Sequence, residues 1–371
     1  MTRSILFDRG PLGVGSLFSQ PERIVEAWHP QDIKEALCVM ETAQAEGKWL
    51  AGTASYELGY VLTPKLFPKL PQNRQEPLLS FGVFNQVQSV PEPKTGGEAR
   101  LGRFEPGWDF QTYSDAFDII HKFIRDGDIY QANLTFPMTA TYEGCPQSLY
   151  ESLKQKQPVP FGAFVDFSES KILCRSPELF FSLSSGGQLR ARPMKGTIRR
   201  SLDVTEDAAL AAQLAASEKD QAENLMITDL LRNDLSRISQ IGSVRVPALF
   251  EIESYATVHQ MTSEVTAKIQ PDCKLSDIFT AIFPCGSITG APKLRAMEIL
   301  SSMESSARDT YCGAIGWIAP DGSMEFNVAI RTLICRPSGE ATLNVGGGIV
   351  YDSTAESEYS EALLKAQFAQ L

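Results

Sequence analysis

No apolar run in this chain approaches the ~20 residues that a helix needs to cross a bilayer, so a membrane span is not expected. Met1–Gly10 also lacks the basic, then apolar, then small-residue order of a signal peptide. Seven cysteines form an odd, scattered set with no Cys-x-x-Cys pair. That pattern argues against a disulfide framework or a zinc site and fits a reducing cytoplasm. Positive charge is also scarce. The formal net charge of −11 excludes nucleic acid as a default partner, since phosphate binding needs a basic face. It leaves small anionic substrates open, because a site needs only local positive charge. Only three histidines occur, His29, His121 and His259, with His121 on an expected amphipathic helix, and no serine–histidine–acid arrangement is assembled from them.

What remains is an ordinary globular composition, 43% hydrophobic and 21% charged, able to bury a large core. The 371 residues have room for two or three average domains, or one large domain with an appendage. No internal repeat interrupts the chain. The stretch 64–107, rich in proline, glycine and charge, reads as the most linker-like, and a soft boundary falls near residue 105. Within it, Pro77–Val90, with its Leu-Leu-Ser-Phe-Gly-Val-Phe core, still reads as a strand. Tyr113, Phe117, Ile120 and Ile124 recur at helical spacing, with Gly127 as the stop. Strands are expected at 129–136, 161–167, 243–246 and 342–350, and helices at 203–217, 220–238 and 355–371. Pro292 is expected in the first turn of a helix running to about Met303. Asp321-Gly322 should join two β-prone runs, 311–318 and 325–335, as a tight hairpin. Strands grouped between helices, without regular βαβ alternation, favour an α+β fold.

Four constellations could carry chemistry. Asp220 and Glu223 lie three apart, as do Glu358 and Glu361, so each pair shares one helical face. Two such pairs could hold a hard cation such as magnesium, which takes one or two carboxylates plus water and substrate oxygens. The same spacing is that of solvated helix faces, and Lys365 at i+4 from Glu361 suits a surface pair. The run Gly286-Ser-Ile-Thr-Gly290-Ala-Pro-Lys293 enters a helix but misses the Walker spacing, because Ala291 and Pro292 separate glycine from lysine. Its free N–H groups could still bind a carboxylate, or it could be a simple turn. Gly346-Gly347-Gly348 weakens a strand, so either a ligand or a neighbouring strand approaches the backbone there. Lys195, between Arg192 and a Gly-Thr turn, is either a surface charge or a nucleophile whose pKa is lowered by burial or cationic neighbours.

At these same segments the chain resembles the chorismate-utilising family, which includes anthranilate, aminodeoxychorismate, isochorismate and salicylate synthases. The matching runs are 128–135 (Asp-Ile-Tyr-Gln-Ala-Asn-Leu-Thr), 176–180 (Ser-Pro-Glu-Leu-Phe) and 193–197 (Pro-Met-Lys-Gly-Thr). They continue through 222–235, 286–295, 311–313, 326–332 and 346–361, in the family's order from about residue 110 to the end. The resemblance implies two β-sheets packed as a sandwich with helices outside. Residues 1–105 would contribute strands to the same body, and 106–371 would form the chorismate-binding catalytic domain.

Carried onto this sequence, the resemblance implies magnesium held by Glu223 and Glu361, with Asp220 and Glu358 supporting through water. Glu178 would be the general acid/base. Arg331, Tyr311 and the Gly347–Gly348 backbone would clamp the enolpyruvyl carboxylate, with His259 and Thr289 beside the ring. Gln131 stands where isochorismate and salicylate synthases carry a lysine base, which points to the aminating members. Lys195 stands where anthranilate synthases carry alanine. It resembles the aminodeoxychorismate-forming branch, in which this lysine attacks chorismate covalently and ammonia then displaces it, giving 4-amino-4-deoxychorismate for para-aminobenzoate and folate synthesis. No glutaminase cysteine motif is present, so a separate glutamine amidotransferase partner is implied. Cys285 and Met194 depart from the usual glycine and isoleucine. No Leu-Leu-Glu-Ser motif is found, so tryptophan feedback is not expected. Two alternatives stay open: an anthranilate-forming component, or a chorismate-binding subunit that has lost its chemistry.

Overall fold

A computed structural model describes residues 3–90, 98–255 and 258–371. The most linker-like Pro-Glu-Pro-Lys-Thr-Gly-Gly run, 91–97, lies outside the described residues.

Two large antiparallel sheets, of eleven and ten strands among the described residues, carry the fold, and many of their strands, such as Leu79–Phe84 and Thr332–Cys335, are buried throughout. In the first, Gln131–Glu143 pairs with Glu340–Ile349 over ten positions, from Thr141 opposite Glu340 to Ala132 opposite Ile349. In the second, Val258–Lys268 has Arg245–Ser254 on one side and Gln188–Arg192 followed by Met194–Arg199 on the other. The N-terminal residues enter both sheets. Ser4–Phe7 pairs with Phe161–Asp166 in the first, and Trp49–Ala54 pairs with Ala314–Ile318 in the second.

The inner faces of the two sheets meet in a cluster containing Ile5, Phe18, Phe84, Val165, Ile315 and Ile334. Two larger clusters lie where helices cover each sheet. Each such side chain, once buried, contributes roughly 1.5–3 kcal/mol, so the layers are held chiefly by apolar area. The helix Phe110–Arg125 shows how the pattern works. Tyr113, Phe117, Ile120 and Ile124 all face inward, the Asp109 carboxylate caps Thr112 N at 2.9 Å, and Gly127 ends the run at φ +81°.

Several expected elements differ in extent. The run 325–335 is not one strand. It divides into Met324–Val328 in the second sheet and Thr332–Cys335 in the first, with Arg331 at φ +52° where the chain crosses between them. The β-prone run gives no sign of such a crossing, because both halves are largely buried strand. Pro292 is the N-cap of Lys293–Met303 rather than part of its first turn. The strand expected at 243–246 is the longer Arg245–Ser254, and the closing helix stops at Lys365 before a 3-10 turn.

Candidate active site between the two sheets

Two chain crossings form one wall of the site. Lys171–Ser176 lies in the first sheet and Leu179–Leu183 in the second, so Glu178 sits where the chain passes between them, as Arg331 does on the neighbouring path. The paths are tied together by Arg175 N donating to Arg331 O at 2.9 Å and Val328 N donating to Glu178 O at 3.1 Å. Burial pushes the Glu178 carboxyl up to about 7, against the Ser287 hydroxyl and Lys195, which pull it down. Its Oε1 is buried without a hydrogen-bond partner among the described residues. A carboxyl poised near neutrality with a free oxygen suits proton transfer. Arg331 is half-buried, and burial alone moves its guanidinium below the ordinary range. No carboxylate among the described residues pairs with it. A desolvated, unpaired guanidinium is a ready seat for an anion.

Lys195 lies on the strand Met194–Arg199, in a bulge. Met194 faces Thr262 and Thr197 faces Gln260, so the first strand holds one residue more than its partner. Such a bulge re-aims a side chain out of the ladder. Burial lowers the Lys195 pKa. The carboxylates of Glu223, Glu178 and Glu361 oppose that shift, and the Lys365 ammonium adds to it. Four charged groups from three chain segments thus surround one amine.

The carboxylate pairs come from two helices. Glu218–Ser236 packs on the second sheet, carrying Asp220 and Glu223; Ala355–Lys365 packs on the strand Glu340–Ile349, carrying Glu358 and Glu361. Burial raises the Glu223 pKa, and Asp220 and Glu358 add to the rise while Lys195 and Lys219 oppose it. Burial raises Glu358 as well, with Glu361 pushing the same way, although Ser353 Oγ donates to its Oε1 at 2.7 Å. Glu361 is more open. Burial works to raise its pKa, but Lys365, whose Nζ is 2.9 Å away, holds it below the usual range. The i+4 pair expected at the surface therefore belongs to the site, since Lys365 Nζ also donates to Gly346 O at 2.9 Å. Mutually repelling carboxylates on facing helices fit a hard divalent cation by donor chemistry. Among the described residues no three histidine, cysteine or acidic side chains already converge as a coordination group. Magnesium would draw on one or two of these carboxylates, with water and substrate oxygens completing its shell.

The opposite wall is the Gln131–Gly348 strand pair. Gln131 is fully buried, yet neither Oε1 nor Nε2 has a partner among the described residues. A Cβ at Gly348 would collide with its amide, and one at Gly347 would come within 3.0 Å of Glu358 Oε2. The glycines therefore leave room for side chains of the site. Tyr311 is buried beside this wall, its phenol pushed well up by burial.

The two side chains expected beside the ring are hydrogen-bonded within the protein. Thr289 Oγ1 donates within its own turn, to Cys285 O at 3.2 Å and Gly286 O at 3.1 Å. His259 meets Asp207 Oδ1, 3.0 Å from Nε2, and Ser254 Oγ, 2.8 Å from Nδ1, so both ring nitrogens have partners. Lys219, Ser287 and Lys365 join the site without having been singled out for it. They are common polar residues, and only Lys365 carried a signal, its spacing from Glu361.

The family model for chorismate binding enzymes matches residues 3–370. Aminodeoxychorismate synthase component 1 of Klebsiella aerogenes is 43% identical over 255 residues, covering 69% of this chain and 56% of that protein. The protein of the same name from Bacillus subtilis is 38% identical over 275 residues, covering 74% and 57%. The matched part thus spans just over half the length of these curated relatives. Anthranilate synthase component I of Streptococcus pneumoniae superposes with a TM-score of 0.79 at 25% identity, covering all of this chain and 92% of that one. The menaquinone-specific isochorismate synthase of Escherichia coli, at 16% identity and TM-score 0.77, shares the fold over 99% of this chain and 88% of its own. Sheet architecture and a match from residue 3 to residue 370 agree: this chain belongs to the chorismate binding enzyme family.

Proposed function

We propose that this chain aminates chorismate at C4 to give 4-amino-4-deoxychorismate, through a covalent adduct on Lys195. The observation that carries the reading is the Lys195 amine. It sits in a bulge, has its pKa lowered by burial, and lies within the field of Glu178, Glu223 and Glu361. The name shared by the curated relatives supports the same reaction.

The Lys195 amine, in its neutral form, adds to C2 of the ring. Both ring double bonds shift, C1=C2 to C1=C6 and C5=C6 to C4=C5, and the C4–O bond breaks, so that the hydroxyl, once protonated, departs as water. Ammonia then adds at C4, both double bonds return, and the C2–nitrogen bond to Lys195 breaks, regenerating the amine. Splitting one substitution into two lowers the barrier of each. Glu178, with its pKa near 7 and a free Oε1, exchanges the proton that these steps move. Arg331 and Tyr311, with the Gly347–Gly348 backbone, hold the enolpyruvyl carboxylate, and the unpaired Gln131 amide meets a polar group of the ring region. Glu223 and Glu361 would hold a magnesium ion, with Asp220 and Glu358 supporting through water; when bound, it neutralises a substrate carboxylate and assists loss of a hydroxyl.

Ammonia would come from a separate glutamine amidotransferase subunit, and the product would feed para-aminobenzoate and folate synthesis in the cytoplasm. No helix among the described residues is long and apolar enough to cross a membrane. The test is mass spectrometry of the product formed from chorismate, magnesium and ammonium at mildly alkaline pH. 4-Amino-4-deoxychorismate is expected. Anthranilate would overturn the Lys195 step while keeping the substrate. Untouched chorismate, with and without an amidotransferase partner, would overturn the activity.

A further inference from the structure

We propose that Arg308 is a positioning residue for the substrate-clamping half of the site, an inference that rests on the chorismate reading above. Arg308 is among the largest fully buried side chains of the fold, with a relative exposure of 2%. No hydrogen bond or ion pair among the described residues joins it to Lys195, Glu178, Glu223 or Glu361. Its guanidinium instead joins segments that carry the other wall.

Nη1 donates to Ile288 O at 3.0 Å, in the turn that leads to Thr289. Nη2 donates to Asn133 O at 2.7 Å, on the strand that begins at Gln131. The same turn and strand are tied again by Asn133 N donating to Thr289 O at 2.9 Å. The Arg308 carbonyl accepts from Tyr311 N at 3.1 Å and from Asn344 Nδ2 at 3.3 Å, the latter two residues before Gly346. One residue therefore spaces Gln131, Thr289, Tyr311 and the glycine run relative to each other.

The charge is held from two sides. Glu304 pairs with it through Nε at 2.8 Å and Nη2 at 2.7 Å, a bidentate fork, and Glu304 Oε1 also accepts from Thr135 N at 2.9 Å. The Tyr56 ring lies under the guanidinium at 4.2 Å. Glu57 Oε1 accepts from Arg308 N at 2.7 Å, so the N-terminal part of the chain braces the same point. A planar fork with fixed donor directions can hold carbonyls of two different segments at set distances, which a lysine ammonium cannot.

The experiment compares Arg308→Lys and Glu304→Gln with the wild-type chain in steady-state kinetics with chorismate, together with circular dichroism and thermal melting. Arg308→Lys keeps the charge and loses the fork; Glu304→Gln keeps the shape and loses the charge. For folded variants, KM for chorismate should rise about tenfold or more in Arg308→Lys and by a smaller factor in Glu304→Gln. kcat and the shape of the pH–rate profile should stay within about threefold of wild type, because Lys195 and Glu178 are untouched. Folded Arg308→Lys with wild-type KM overturns the proposal. So does a parallel fall of kcat and kcat/KM that tracks the loss of folded protein, which is a general structural role. If Arg308→Lys does not fold, Glu304→Gln decides, and a wild-type KM there overturns it. A wild-type chain that leaves chorismate untouched defeats the functional reading itself, and this inference falls with it.

Discussion

Asp220 packs against the bare Cα of Gly196: a Cβ added there, at φ +85°, would stand 2.9 Å from Asp220 Cβ. The helix that carries Glu223 is thereby seated on the bulge that carries Lys195, and the distance between the amine and the carboxylates depends on a missing side chain. Gly196→Ala should be strained on both counts, costing on the order of 1–3 kcal/mol. We expect a lower melting temperature and a turnover reduced about tenfold or more. Wild-type values for both quantities would show that the contact does not govern the site.

Lys195→Ala should abolish or sharply reduce C4 amination while leaving magnesium binding largely intact. Unchanged formation of 4-amino-4-deoxychorismate, followed by mass spectrometry, would remove the covalent step. The same position tests burial. A lysine whose folded pKa lies below its unfolded value makes the folded state bind fewer protons, so its penalty is fully present below the folded pKa and fades as pH rises toward the unfolded pKa. Lys195→Met should therefore melt higher than wild type at neutral pH, with the difference shrinking in strong alkali. A lower melting temperature at neutral pH would contradict the burial argument.

Glu178 carries the opposite sign. Its folded pKa of about 7 lies above the ordinary 4.5, so the folded state binds more protons across that interval and loses stability as pH rises through it. The 4.5-to-7 interval corresponds to about 3 kcal/mol. Relative to wild type, Glu178→Gln should gain stability over this interval in denaturant titrations. A difference independent of pH would count against a perturbed carboxyl. Turnover should fall about a hundredfold or more.

Arg331→Met should raise KM for chorismate strongly while leaving the fold intact, since it removes a desolvated cation that no carboxylate among the described residues offsets. Thermal melting without substrate should be unchanged or higher. Chorismate should stabilise the wild type and not the variant. Equal stabilisation of both proteins would place the carboxylate elsewhere.

Glu361→Ala should raise the magnesium concentration needed for half-maximal activity. An unaltered titration would count against Glu361 as a ligand. The measurement should be made at fixed ionic strength, because this carboxylate is the most open of the four and its pairing with Lys365 is screened by salt.

Much of the fold was legible because it rests on periodicity. The helix Phe110–Arg125 buries the residues its spacing assigns inward, and the Asp321-Gly322 turn joins Ala314–Ile318 to Met324–Val328 in the expected hairpin. Run boundaries were not. Residues 325–335 are β-prone from end to end, and the left-handed backbone at Arg331 marks where the chain changes sheet. The site residues were named through resemblance rather than spacing: the carboxylate pairs alone looked like solvated faces, and Lys195 alone looked like a surface charge.

The sequence by itself determined the residue types available, the helical faces that present carboxylates, and the family to which the motifs point. Tertiary structure decided which of them meet. It placed Lys195 in a bulge, set Glu178 and Arg331 at two neighbouring sheet crossings, left the Gln131 amide without a partner among the described residues, and turned His259 toward Asp207. The reason is physical: periodicity reports which face of an element is buried, whereas pKa, pairing and orientation arise from groups distant in sequence that only packing brings within a few ångströms.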